Sequence, residues 1–146
     1  MSAHYQTCQN LTLAGARAVR DRAAARASAL SLAIAIVVVD RSGALLLAEV
    51  ADCAAPGSMD AALMKARGAA RYRAATHLTA EHLKTLPAGL VSHALSLPEL
   101  CAFQGGVPIK VGAEVIGAIG IAGGSGEQDI AIATEAAAVL DGASVL

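Results

Sequence analysis

Aromatic residues are scarce in this chain. Of 146 residues none is tryptophan, two are tyrosine (Tyr5, Tyr72) and one is phenylalanine (Phe103). Flat ring surfaces on which a base or macrocycle can stack are therefore few. Cysteine is sparse and scattered: Cys8, Cys53 and Cys101 are odd in number and show no Cys-x-x-Cys spacing. That pattern gives neither a disulfide framework nor a zinc site, so buried or half-buried free thiols are expected. Charge of one sign is also missing. The formal net charge is −1, whereas a nucleic-acid partner would call for a basic field. No stretch approaches the ~18 consecutive apolar residues of a membrane helix. Residues Met1 to Asn10 are polar and lack the basic-then-apolar order of a signal peptide. The expectation is a cytoplasmic protein with neither a nucleic-acid nor a membrane partner.

What is abundant is small. Hydrophobic residues make up 55% of the chain, many of them alanine, and small side chains let helices and sheets pack closely. The length suits one domain over residues 1–146, large enough for a sizeable core. Leu11 to Leu30 reads as an alanine- and arginine-rich helix, capped by Asn10 or Thr12. Apolar runs at 33–40 and 44–50 flank Arg41-Ser42-Gly43 and predict a hairpin. Ser58 is the expected cap of a helix reaching about Ala75, and Thr79 that of a short helix through Leu86. Val91 to Phe103, broken by Pro98, is left open. Residues 107–111 and 114–122 form a second hairpin around Gly112. Ser125 and Gln128 have capping-box spacing for a last helix to about Leu140. The order α-β-β-α-α-β-β-α predicts an α+β domain with helices over an antiparallel sheet. A further strand near Cys101 to Gln104 would bring the sheet to about five.

Two glycine-rich segments flank the last apolar strand: Gln104 to Ile109, with Gly105 and Gly106, and Gly117 to Asp129, with Gly123 and Gly124. Glycine permits close backbone approach, and a helix start offers free N–H groups. The two segments therefore suggest a pocket floor made of backbone, with Glu127 and Asp129 at its rim. Both acids also suit the first turn of a helix on dipole grounds alone. Gly117-x-x-Gly120-x-x-Gly123 lacks the dinucleotide-binding spacing. Glu127 replaces the last glycine of a serine-hydrolase elbow, which leaves Ser125 as a cap.

Lys65 stands out among the charged residues. Ala61, Gly68, Ala69 and Tyr72 are its helical neighbours, which places it on the inward stripe. An inward lysine needs a paired acid or a cavity. Pairing with Asp or Glu would be structural, whereas a cavity would let it bind a carboxylate or move a proton.

Val39 to Gly43, Ala51-Asp52, Ser58, Lys65-Ala66, Gly105 to Ile109 and Gly117 to Asp129 follow one another at a spacing that resembles the GlcG/HbpS family of haem-binding or haem-degrading-type domains. The C-terminal domain of some cobalamin adenosyltransferases belongs to the same group. The resemblance runs from about Leu11 to Leu140, and the pair of glycine segments is its most specific part. It implies a profilin-like antiparallel sheet flanked by helices, a homo-oligomer of two or more copies, and haem as the named ligand. It also strengthens the reading of Lys65, which falls on the family's Lys-Ala position.

Haem iron needs only one axial residue. His77 and His82 are the first choices among His4, His77, His82 and His93, because they flank Thr79 between helices. Five residues apart, they do not share a helix face as a zinc pair would. The leading expectation is thus a protein that binds a small planar or anionic molecule at Lys65, Gly105, Gly106, Gly123, Gly124, Glu127 and Asp129. One alternative is a lyase, isomerase or hydrolase in which Lys65 anchors a carboxylate or carbonyl and Glu127 moves the proton. Another is a non-catalytic oligomeric accessory protein.

Overall fold

The computed structural model describes residues 3–143. The side chain of Thr12, and not Asn10, caps α1 (Leu13–Ala29) by accepting from the Gly15 N–H. Asn10 instead ties two loops together, accepting from the N–H groups of Leu11 and Arg41. β1 (Ala35–Asp40) and β2 (Leu45–Val50) form the first predicted hairpin. α2 (Ser58–Tyr72), α3 (Thr76–Lys84) and α4 (Ala88–Leu95) follow. β3 (Gly106–Val111) and β4 (Glu114–Ala122) make the second hairpin. α5 (Gly126–Ala137) closes the fold and runs into a 3-10 turn at Ala138–Leu140. Both halves of the capping box between Ser125 and Gln128 are formed.

Among the described residues the sheet has four antiparallel strands in the order β2-β1-β4-β3, not about five. The segment expected to add a strand is used elsewhere. The Glu99 carbonyl and Cys101 lie against Gly68 of α2, where a side chain would meet the Cys101 Cβ at 2.8 Å. Gly105, just before β3, prolongs the β3–β4 ladder, its carbonyl accepting from Ile121 N–H at 2.9 Å. β3 is an edge strand, so Pro108 removes no hydrogen bond from the sheet interior.

Helices cover both faces of the sheet. Ile36, Val38, Ile119 and Ile121 point to the face packed by Val19, Ala23 and Ala27 of α1 and Ile132, Ala133 and Ala136 of α5. Ala35, Val37, Val39, Ala118 and Ala122 point to the other face, under Ala62, Ala66, Ala69 and Ala70 of α2. Strand alternation thus serves two cores at once, which is why β1 reads as a continuous apolar run. Each buried Ile or Val contributes roughly 1.5–3 kcal/mol. On the α2 side the stabilisation comes instead from closeness. Gly120 of β4 lies so near the Ala62 carbonyl that no side chain fits between them. The abundance of alanine and the shortage of aromatics have this common cause.

Several local expectations are corrected. α2 has Gly57 at its N-cap with no side-chain cap bond, and Ser58 is its first residue. It ends at Tyr72 rather than near Ala75, because Arg73 takes a left-handed conformation at φ 52°. α3 begins at Thr76, which leaves Thr79 inside the helix. Of the thiols, Cys8 and Cys53 are exposed and only Cys101 is buried. Burial pushes the Cys101 pKa up.

Candidate functional site

Lys65 leaves the buried stripe of α2 beside Ala62, Ala66 and Ala69. Its amine donates to the Ile121 carbonyl at 2.8 Å and to Asp129 Oδ2 at 3.0 Å. Asp129 belongs to α5, on the opposite face of the sheet, so the side chain passes the sheet at its end. Gly105 is what leaves room: a Cβ there would lie 2.8 Å from the Asp129 Cβ and 3.3 Å from the Lys65 Nζ. Gly105 also holds φ 115°, which a residue with a side chain rarely adopts. The lysine and aspartate side chains keep only 8% and 4% of their exposure. At that burial the pair stands only because each charge is also hydrogen-bonded elsewhere. The second Asp129 oxygen accepts from Gly124 N–H at 2.9 Å.

Thr76 extends the cluster. Its hydroxyl accepts from Gly106 N–H at 2.9 Å, and it is 1% exposed. Gly106 itself rests on the Lys65 backbone. The next residue, His77, has a buried Nδ1 with no hydrogen-bond partner among the described residues. At the other edge the Gln104 side chain lies against Gly126. Thus Lys65, Gly105, Gly106, Gly124 and Asp129 come together, joined by Thr76 and Gln104, and His77 follows Thr76 in the chain.

Three expected members stand differently. Gly123 turns away, close to the Ala33 carbonyl and Ile34. Glu127 is exposed and makes no ion pair or side-chain hydrogen bond among the described residues. His82 is exposed on α3. Asp129 outranks Glu127 because it shares a helix face with the buried Ile132, Ala133 and Ala136, at plus three, four and seven. That spacing was the available signal for its inward position. Thr76 and Gln104 carried no such signal.

Lys65 and its partners fill the space between them. Open clefts of about 460, 400 and 390 Å³ lie elsewhere: beside the N-terminal segment and Leu140, beneath the end of α1, and at the end of α2.

With this geometry in view, comparison with known proteins is informative. The family model described as haem degrading protein HbpS-like matches residues 11–138. The chain belongs to the HbpS-like family. The crystal structure of Klebsiella pneumoniae protein ORFY is similar with a TM-score of 0.89 and 30% identity, covering 99% of each chain. That of a PduOC:heme complex gives 0.79 and 30% identity, covering 89% of this chain and 94% of the other. An uncharacterised 15.0 kDa protein from the dhaT-dhaS intergenic region of Citrobacter freundii is 33% identical over 134 residues, covering 90% of this chain and 92% of its own. Among the described residues no helix is long and apolar enough to cross a membrane.

Proposed function

We propose that this HbpS-like chain binds a small planar or anionic molecule, with haem the first candidate. The observation that carries the reading is the buried, partnerless Nδ1 of His77, the residue next to Thr76, whose hydroxyl accepts from Gly106 N–H. A buried imidazole nitrogen without a partner is costly, and a ligand or a metal relieves that cost. Imidazole is an axial ligand of haem iron, so the donor chemistry at His77 fits the group. The relative solved as a PduOC:heme complex supports the same choice.

In this reading His77 holds the iron, and bound haem supplies its own redox and ligand-binding chemistry. Thr76 fixes the start of α3 against Gly106, which orients His77. Glu127, exposed beside the Gly124 turn, is the acid available to a ligand, whereas Asp129 is committed to Lys65. Lys65 acts on the ligand indirectly, by holding Gly105 and the start of α5 in place. The enzymatic alternative needs a free Lys65 amine, and that amine is already bonded to Ile121 and Asp129.

Copies of the chain associate in this proposal into a dimer or larger assembly. Leu78, Leu90, Leu95, Leu97 and Phe103, on α3, α4 and the loop beyond, stand 49–67% exposed. Association would cover these side chains, and light scattering reads it directly.

The test of the haem reading is titration with haemin. A Soret shift is expected in the parent protein and in His4→Ala, His82→Ala and His93→Ala, but not in His77→Ala. An unchanged spectrum in all four variants would exclude histidine ligation.

A further inference from the structure

A separate feature lies at the C-terminal end of α2. An open depression of about 390 Å³ is lined by Arg41, Ser42, Ala70, Arg71, Tyr72, Arg73 and Pro98. Three of these seven residues are arginine and none is acidic. The nearby carboxylates are already engaged. Arg41 Nη1 donates to Glu114 at 2.9 Å. Arg71 and Arg67 share Glu99. Asp40 turns into its own loop, accepting from Ser42 N–H, the Ser42 hydroxyl and Ala44 N–H. Of the four guanidinium groups, Arg41 pairs with Glu114, Arg67 and Arg71 share Glu99, and Arg73 has no acidic partner among the described residues.

The backbone under Arg73 adds an independent observation. Its φ of 52° is a conformation that costs a residue with a side chain and suits glycine at a helix end. An arginine here gives up that advantage and places a fork of donors at the lip of the depression. Tyr72 closes one wall, its hydroxyl donating to the Pro98 carbonyl at 2.6 Å. Arg71 lies over the β1–β2 turn, where Gly43 leaves room for its Nε. The guanidinium groups therefore approach from two elements, the helix end and the hairpin turn.

We propose that this depression is an oxyanion site, in which Arg71 and Arg73 hold a phosphate or carboxylate group and Arg41 and Ser42 flank it. Guanidinium forks match the paired oxygens of such groups, and charge-assisted hydrogen bonds are the strong ones. The site does not depend on the haem reading: it uses other residues and takes an anion without a metal.

Calorimetric titration at constant ionic strength tests it, with inorganic phosphate in one arm and citrate in the other. Saturable binding is expected in at least one arm, and the arm that responds tells a tetrahedral from a planar oxyanion. Arg73→Gly should weaken it by about tenfold, the loss of one charge-assisted contact. The melting temperature should be unchanged or higher, because glycine suits the positive φ. Arg73→Asn, which also tolerates that conformation, should weaken binding equally. Arg71→Lys keeps the charge but loses the fork and should weaken it too. Arg17→Ala, an exposed arginine on α1, should have no effect. Absence of saturation in both arms, or an equal loss in Arg17→Ala, would overturn the proposal.

Discussion

Two stretches of the same helix treat their cations in opposite ways. In the middle of α2, Lys65 is buried and spends its amine on one carboxylate and one carbonyl. Toward the C-terminal end, Arg67 and Arg71 share one glutamate, Arg73 has no acidic partner among the described residues, and Arg71 and Arg73 border an open depression. The first arrangement suits a strut between helical layers, and the second suits a ligand. Burial beside small residues drew attention to Lys65 in the sequence, yet burial is also what ties up its charge.

The largest effect should follow from Lys65→Met. It leaves Asp129 charged and partly unpaired in the interior, and about 3–5 kcal/mol of stability should be lost. Urea unfolding reads this. A Lys65→Met/Asp129→Leu double variant should regain most of the loss, since an apolar replacement of both partners removes the unpaired charge. A loss under about 1 kcal/mol in the single variant would mean that the amine is not the strut described. Arg71→Ala, at the other end of the contrast, should cost no more than about 1 kcal/mol, and less in high salt, because its pair with Glu99 is half exposed.

The smallest effect is visible only through pH. Burial alone would raise the Asp40 pKa, but hydrogen bonds from the Ser42 hydroxyl, Ala44 N–H, Ser42 N–H and Asn10 more than offset it. The carboxyl therefore stands below its ordinary range. A pKa depressed by folding stabilises the protein above the unfolded value, and the contribution disappears as pH falls through the folded value. Asp40→Asn should thus differ from the parent at neutral pH, and the difference should shrink on acidification below the usual carboxylate range. Parallel stability-against-pH curves would contradict this.

The hairpins, the α5 capping box and the inward face of α2 were legible in the sequence because each rests on local spacing: glycine turns between apolar runs, Ser125 with Gln128, and small residues three and four apart. The starts of α2 and α3 were not. Ser58 and Thr79 have the right chemistry for caps, but the caps fall on Gly57 and Ala75, and the buried threonine of α3, Thr76, bonds to a distant strand. The partner of Lys65 was half legible. The sequence singles out Glu127 and Asp129, the two acids in the first turn of the last helix, and the choice between them turns on helix phase, which favours Asp129. The fifth strand failed for a tertiary reason, since Cys101 packs on Gly68 instead of pairing. The arginine depression was invisible because it joins a hairpin turn to a helix end thirty residues away, and because a left-handed arginine has no sequence signature.

α4 offers one more consequence. It is eight residues long and none of them is buried. A helix that short has almost no stability of its own in water, so its amides should open without waiting for the rest of the domain. In heavy water those amides should exchange at nearly the rate of an unfolded chain, while β1 and β4 hold their protons until the whole domain unfolds. Slow exchange over Ala88–Leu95 would be the kinetic imprint of a surface laid against it, and its growth with protein concentration would identify that surface as another copy of the chain.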